Sequence, residues 1–350
     1  MSKQDFMLRC LQLAKNGLGT TSPNPMVGSV IVHNNKIIGE GWHYKAGEAH
    51  AEVNAINNVK DKTLLADATI YVSLEPCSHF GKTPPCSDLI IKSGIKRVII
   101  GTIDPFTAVS GRGIKKLMDA GCEVIVGVLE RESQLLNKRF FTFHNAKRPY
   151  IFLKWAQTAD GLLGSDSSKN QARKPIWISN QFSKQSVHKQ RAHEQAILVG
   201  TTTVVSDNPS LTTRLWKGSN VLRVVLDLNL RIPQNSTIYN QEQPTIIITN
   251  TKEHPKNSHN LTYEYINSND SIATQICDIL YKKQIQSLII EGGAQLLQTF
   301  IDANLWDEAT VYKSTTVFLK QGTKAPKIQG ETKVSTLQND VITHYTNTTF

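Results

Sequence analysis

Apolar residues recur at helical spacing over Asp5 to Asn16, where Phe6, Met7, Cys10, Leu11, Leu13 and Ala14 fall on one face and predict an amphipathic helix. A turn-rich stretch from Gly17 to Pro25 follows. Two β-rich runs, Val27–His33 and Lys36–Trp42, then flank Asn34-Asn35, which predicts a hairpin. Beyond it the pattern alternates: a helix over His50 to Val59, a strand at Thr69–Leu74, a helix at Ser87–Ser93, a strand at Arg97–Gly101, a helix at Gly113–Ala120 and a strand at Glu123–Val126. Strands alternating with helices imply a layered α/β domain.

Around Arg139 to Pro149 the pattern changes. FFTFHNAKRP is aromatic and basic, ends in proline and precedes a new strand at Tyr150–Ala156, so the expected domains are 1–146 and 147–350. The second half predicts strands at Ala196–Val199, Leu222–Asp227, Thr245–Thr249 and Ser287–Glu291, and helices at Ser183–Glu194 and Ala294–Ala303. Gln234–Gln243 and His254–Asn260 read as polar loops. The halves carry different motifs, and no internal repeat is visible.

The chain has 350 residues, which at roughly 150 residues per domain agrees with two domains. With 39% hydrophobic and 19% charged residues it can build a sizeable core. No run of about 18 apolar residues occurs, so no transmembrane helix is expected. Arg9 and Lys15 bracket a short apolar patch without an A-x-A signal, so no signal peptide is expected. The 5 cysteines argue against a disulfide framework and for the reducing cytoplasm. The net charge of +10 is spread, with 17 basic and 13 acidic residues in 1–146 and 22 and 16 in 147–350. Such an excess suits phosphorylated small molecules, RNA or merely a solvated basic surface.

The chemistry is concentrated in HAE at His50–Glu52 and PCSHFGKTPPC at Pro76–Cys86. A catalytic zinc takes three protein ligands and keeps a fourth position for water. His50, Cys77 and Cys86 offer one nitrogen and two thiolates, and Cys86 opens a helix whose N-terminus favours a thiolate. Glu52, two positions from His50, can reach a zinc-bound water without ligating the metal. That is the arrangement of zinc deaminases, in which a glutamate shuttles the proton to the leaving amine. A structural zinc with His79 as fourth ligand would leave Glu52 without a role. Cys10, Cys122 and Cys277 read as core thiols.

Eight residues separate Cys77 from Cys86, where the usual nucleobase-deaminase motif is P-C-x-x-C. SPNPMVGSVIV, GWHYKAGEAHAEVNAI and SLEPCSHFGKTPPC together resemble the bifunctional deaminase–reductases of riboflavin biosynthesis, and the resemblance runs through essentially the whole chain. It implies an α/β fold, with an N-terminal cytidine-deaminase-like α/β/α layered domain and a C-terminal dihydrofolate-reductase-like α/β domain. It also implies zinc-dependent deamination of 2,5-diamino-6-(5-phosphoribosylamino)pyrimidin-4(3H)-one, then NADPH-dependent reduction of the ribose to the ribityl side chain. Asn24, His43, His79 and Lys82 match substrate-contacting positions. Asn24 has donor and acceptor for a pyrimidine edge, and Lys82 suits a 5′-phosphate; a turn residue and solvated loop side chains are the plainer readings.

The second half lacks G-x-G-x-x-G, but LIIEGGA at Leu288–Ala294 runs a strand through paired glycines into a helix, a turn that suits phosphate. The resemblance implies that Lys154, Asp207 and Glu291 line the hydride-transfer site. Arg191 and Arg214 would hold the substrate phosphate, with Leu211 nearby and Glu291 also contacting substrate. Ala156, Trp177, Thr203, Asp207, Gly293, Ala294, Gln295, Leu296, Leu297, Gln298 and Thr299 would contact NADPH. Packing, capping or solvation remains the alternative for each. Three departures from the family stand out: Pro175 replaces a usual Ser, the segment Gly164–Lys174 is long, and VYKSTTVFLKQGTKAP is more polar than usual.

The alternative function is a nucleic-acid deaminase, such as a tRNA adenosine deaminase, with an accessory C-terminal domain. The cysteine spacing and the polar site of the second half count against it. A small phosphorylated pyrimidine is therefore the expected partner, without nucleic acid or membrane, and a homo-oligomer is expected.

Overall fold

The computed structural model describes residues 1–78, 84–106, 110–165 and 177–348. The chain divides into two compact units, Met1–Lys147 and Arg148–Phe350.

In the first unit the elements are α1 (Lys3–Ala14), β1 (Gly28–His33), β2 (Lys36–Trp42), α2 (Ala51–Asn57), β3 (Thr69–Leu74), α3 (Cys86–Lys92), β4 (Arg97–Thr102), α4 (Arg112–Asp119), β5 (Glu123–Val126), α5 (Glu130–Leu136) and α6 (Lys138–Ala146). Helix α1 opens on a capping box: Ser2 Oγ accepts the Asp5 N–H, and the Asp5 carboxylate accepts the Ser2 N–H. The Asn34-Asn35 turn places both residues in the left-handed region, at φ 48° and 60°, as a two-residue hairpin requires. The sheet order is β2-β1-β3-β4-β5, antiparallel across β2-β1-β3 and parallel from β3 to β5.

The period of two along the strands makes the layers. Val30, Val32, Tyr71 and Ile99 face Phe6, Met7, Cys10 and Leu13 of α1. Their neighbours Ile31, Ile70, Val72, Val98 and Ile100 face Ala55, Ile56, Ile90 and Leu117 on α2, α3 and α4. The result is the expected α/β/α sandwich.

The aromatic and basic run read as a boundary is helical. Helices α5 and α6 meet at Asn137, which is buried and binds the Met26 backbone twice: its Oδ1 accepts the Met26 N–H at 2.8 Å and its Nδ2 donates to the Met26 carbonyl at 2.9 Å. This fastens the SPNPM turn.

The second unit contains β6 (Tyr150–Gln157), β7 (Leu162–Gly164), α7 (Gln181–His193), β8 (Ala196–Gly200), α8 (Thr201–Asp207), β9 (Leu222–Leu226), β10 (Thr245–Thr249), β11 (Leu261–Tyr265), α9 (Ile272–Lys282), β12 (Ser287–Glu291), α10 (Ala294–Asp302), β13 (Glu308–Ser314), β14 (Thr323–Lys324), β15 (Glu331–Leu337) and β16 (Asp340–Thr346). The main sheet runs β11-β10-β9-β8-β12-β6-β13-β16-β15. It is parallel through β13, and β16 and β15 continue it antiparallel. Ile151, Leu153 and Trp155 pack on α9 and α10, whereas Tyr150 and Phe152 pack on the other face with Val204 of α8.

Helix α8 is not among the elements that the periodicity predicts. Its TTTVV run is β-branched and a poor helix former, yet it is held by the fully buried Val204 and by Thr201, whose Oγ1 donates to Asp227. Among the described residues no helix is long and apolar enough to cross a membrane.

Asn137→Ala would leave the buried N–H and C=O of Met26 unpaired. The expected loss is about 2 kcal/mol of stability in the first unit, read by urea denaturation, and a change under about 0.5 kcal/mol would show that another group takes over this pairing.

Candidate active sites

In the first unit three side chains converge from three element ends. His50 is the N-cap of α2, Cys86 is the first residue of α3, and Cys77 follows β3 after Glu75-Pro76. His50 Nδ1 lies 3.6 Å from Cys77 Sγ and 3.3 Å from Cys86 Sγ, and the three ligand-type atoms are all within 4.8 Å of one another. The Cys86 N–H, at the start of α3, donates to Cys77 Sγ at 3.3 Å. The Cys86 thiol and His50 also bond to Cys77, and together these contacts pull Cys77 toward the thiolate while raising His50. One imidazole and two sulfurs form a soft donor set suited to zinc, with a fourth position left over.

Glu52 sits in the first turn of α2 and is buried, so desolvation pushes its carboxyl up to about 7. Next to His50, Asn24 Nδ2 donates to His43 Nε2 at 3.1 Å, and His43 Nδ1 donates to the Ala49 carbonyl at 3.0 Å. Because a carbonyl can only accept, this pairing fixes the His43 tautomer. Burial lowers the pKa of His43, and its ring meets that of His50 edge-on with centroids 5.5 Å apart.

Glu75 anchors this centre. Its carboxylate accepts N–H groups of Gly111 and Gly113 at 3.0 and 2.9 Å, and of Asp104 and Ile114 at 3.3 Å. A buried charge is thereby spread over the N-terminus of α4. The approach is close enough that a Cβ on Gly113 would stand 2.0 Å from the Pro76 carbonyl oxygen, so only glycine fits there. Burial pushes neighbouring Asp104 up to about 6.

In the second unit the centre is Glu291, at the end of β12. In the parallel ladder its register partner on β6 is Lys154, whose Nζ lies 3.6 Å from the carboxylate. Arg191 of α7 binds the same carboxylate through Nε at 3.0 Å and Nη2 at 2.8 Å, and donates through Nη1 to the Thr212 carbonyl. Burial opposes ionisation of Glu291, but Arg191 and Lys154 prevail and bring it down to about 2. Burial lowers Lys154, while Glu291 supports its charge. Beyond β12, Gly292 and Gly293 take φ 79° and 70°, and a Cβ on Gly292 would meet Thr203 Oγ1 at 3.0 Å. That tight turn leads into α10.

A family model of the cytidine and deoxycytidylate deaminase zinc-binding region matches residues 1–102, and one of the RibD C-terminal domain matches residues 149–348. The riboflavin biosynthesis protein RibD of Aquifex aeolicus is 40% identical over 333 residues, 94% of this chain and 88% of its own length. RibD of Escherichia coli is 36% identical over 328 residues, 89% of this chain and 87% of its own. The crystal structure of a diaminohydroxyphosphoribosylaminopyrimidine deaminase/5-amino-6-(5-phosphoribosylamino)uracil reductase from Thermotoga maritima is similar with a TM-score of 0.85 at 36% identity, covering 98% of both chains. Acinetobacter baumannii RibD is similar with a TM-score of 0.86 at 30% identity, covering 99% of this chain and 98% of its own.

The chain belongs to the RibD family. RibD proteins are bifunctional deaminases and reductases of riboflavin biosynthesis, so this chain is both a hydrolase and an oxidoreductase. Its units have the cytidine-deaminase-like and dihydrofolate-reductase-like folds. The tRNA deaminase alternative is not favoured, because the RibD matches run through both units.

Within this RibD chain the structure brings together His50, Glu52, Cys77 and Cys86, sets Asn24 against His43, and joins Lys154, Arg191 and Glu291. His79, Lys82 and Pro175 lie outside the described residues. Asp207 is exposed at the end of α8, and Trp177 is 64% exposed beneath the ammonium of Lys184, 3.6 Å from its ring centroid. Ala156 is half-buried in β6. Leu211 is buried in the core with φ 56°. Arg214 is exposed and donates to Ser210 Oγ and Thr212 Oγ1. Residues Ala294 to Thr299 form the first turns of α10. Sequence reasoning missed Glu75, although it stands in the SLEPC motif, and missed His188, one turn before Arg191. His188 is buried, and its Nδ1 accepts the Arg214 N–H at 3.2 Å.

Glu291→Gln would leave Lys154 and Arg191 without their counter-charge, so it is expected to destabilise the second unit by about 3 kcal/mol at pH 7. Glu291 titrates lower in the folded chain, at about 2, than an unfolded glutamate at about 4.3. Its contribution is therefore present above the unfolded value and disappears as pH falls toward the folded one. Urea denaturation should show the gap between wild type and E291Q narrowing from pH 7 to pH 3.

Proposed function

We propose that the first unit, as a domain of residues 1–146, deaminates 2,5-diamino-6-(5-phosphoribosylamino)pyrimidin-4(3H)-one with one zinc ion held by His50, Cys77 and Cys86. The domain of residues 147–350 then reduces the ribose of the product with NADPH. The observation that carries the reading is the convergence of an imidazole and two sulfurs beside a buried carboxylate. When bound, zinc makes water acidic enough to act as a nucleophile near neutral pH. Glu52 takes up the proton and returns it to the leaving amine, a task suited to a carboxyl whose pKa lies near neutrality. Asn24 Oδ1 is the acceptor turned to the pyrimidine edge, while its Nδ2 is occupied by His43. His43 positions Asn24, and His79 and Lys82 contribute to the same substrate site. Thiol ligands require a reducing compartment, so the cytoplasm is the setting of this reading.

In the reductase, NADPH supplies the hydride. Reduction needs the open-chain imine of the sugar, and Lys154 Nζ gives the proton to the ring oxygen as the ribose opens. Its lowered pKa makes that transfer easier. Glu291 holds Lys154 and Arg191 in place and faces the pyrimidine. Arg214 and the remaining N–H donors of Arg191 take the phosphate, and the Leu211 backbone borders it, because the Leu211 side chain is buried. The turn at Gly293 and the helix start from Ala294 to Thr299 approach the cofactor with Thr203, while Ala156, Trp177 and Asp207 complete its site. The Gly292–Gly293 turn fits such a group, because its lack of Cβ atoms leaves room beside Thr203.

Two experiments test these assignments. Glu52→Gln should retain about one zinc per chain by elemental analysis and lose deamination by at least ~10²-fold, since the carboxylate moves protons without ligating; loss of the metal would assign Glu52 to the ligand set instead. Lys154→Ala should lower reductase turnover by ~10²–10⁴-fold and leave deamination untouched. Near-normal reduction would remove Lys154 from the mechanism.

A further inference from the structure

The segment between α8 and β9 is held in a conformation its sequence does not favour. Leu211 lies in the left-handed region at φ 56°, which its branched side chain disfavours, Asn208 caps α8 there at φ 40°, and Thr213 Oγ1 is buried without a hydrogen-bond partner among the described residues. Such backbone persists only where its surroundings over-determine it. Asn208 Oδ1 accepts the Thr237 N–H at 2.7 Å, the Thr212 carbonyl accepts Arg191 Nη1 at 3.1 Å, and the Thr213 N–H reaches Asn220 Oδ1 at 2.8 Å. The last tether is the Arg214 N–H on His188 Nδ1, at 3.2 Å.

This tether differs from the others in where it acts. Arg214 and Lys217 are the exposed cations of the segment, and among the described residues the Arg214 guanidinium donates only to hydroxyls, with no carboxylate to direct it. Its position rests on its own backbone. His188 is 5% exposed and shares a face of α7 with Arg191, one turn away. It thus joins the helix that holds Glu291 to the residue that meets the phosphate.

We propose that His188 is a positioning residue of the reductase: by accepting the Arg214 N–H on Nδ1, it fixes the Arg214 guanidinium for the substrate phosphate. The inference rests on the reading of Arg214 given above. Only a neutral imidazole can accept in this way, and the Nδ1 acceptor puts the ring proton on Nε2. Burial, with Arg191 and Arg214 nearby, keeps the ring neutral by lowering its pKa to about 4. The bond is therefore present throughout the working pH range.

The test uses the full-length chain and steady-state reduction of 5-amino-6-(5-phosphoribosylamino)uracil by NADPH, with deamination and thermal melting measured on the same preparations. His188→Ala should raise KM for the pyrimidine about tenfold, the effect of leaving one buried donor unpaired, with kcat changed less than about threefold. His188→Asn places Oδ1 close to where Nδ1 stood and should restore KM to within about threefold of wild type. His188→Gln, whose amide reaches instead toward the Nε2 position, should behave like the alanine variant. Rescue by Gln but not Asn, a rise in KM for NADPH alone, or an unchanged KM in His188→Ala would each overturn the proposal. Arg214→Ala separates the two levels of the argument. An unchanged KM in that variant overturns the phosphate reading itself, whereas a raised KM there with a normal His188→Ala overturns only the role of His188.

Discussion

A charge removed from water must be compensated where it sits, and both units are organised around that demand at the ends of their parallel strands. In the first, the charge is Glu75, one residue beyond β3. It is met by four backbone N–H groups at and before the start of α4, so the next two residues, Pro76 and Cys77, leave the sheet along a fixed line. In the second, the charge is Glu291, closing β12. It is met by two cations from separate elements, Lys154 of β6 and Arg191 of α7. One solution uses backbone dipoles and yields a rigid platform for a sulfur. The other uses side chains and draws a strand and a helix together at one point.

The alternation of apolar and polar positions made much of this architecture legible. Strands Thr69–Leu74, Thr245–Thr249 and Ser287–Glu291 are found where the periodicity puts them. The HAE and PC motifs announced a donor set because their residue types have few other reasons to coincide. What stayed hidden depended on long-range packing. Helix α8 is written in β-branched residues and exists because tertiary contacts outweigh propensity. Helix α6 is written in the aromatic and basic run that leads up to the division between the units, α5 precedes that run, and Asn137 between them reaches Met26 across 111 positions of chain. Helix α9, in contrast, displays Ala273, Ile276, Cys277 and Leu280 at helical spacing, so its signal was present in the sequence and unread. The pairing of Arg191 with Glu291, 100 residues apart, has no local trace, and neither does the bond between His188 and Arg214.

The direct register of Lys154 and Glu291 on neighbouring strands bears on how this protein can change over evolution. Side chains alternate between the two faces of a sheet, so inserting or deleting one residue within β6 or β12 would send one of the pair to the opposite side. No loop adjustment could bring it back, because the ladder would have to break first. Length variation in the second unit should therefore accumulate in connections such as the one between β10 and β11. These two strands should instead vary by substitution, with their residue count held constant across lineages.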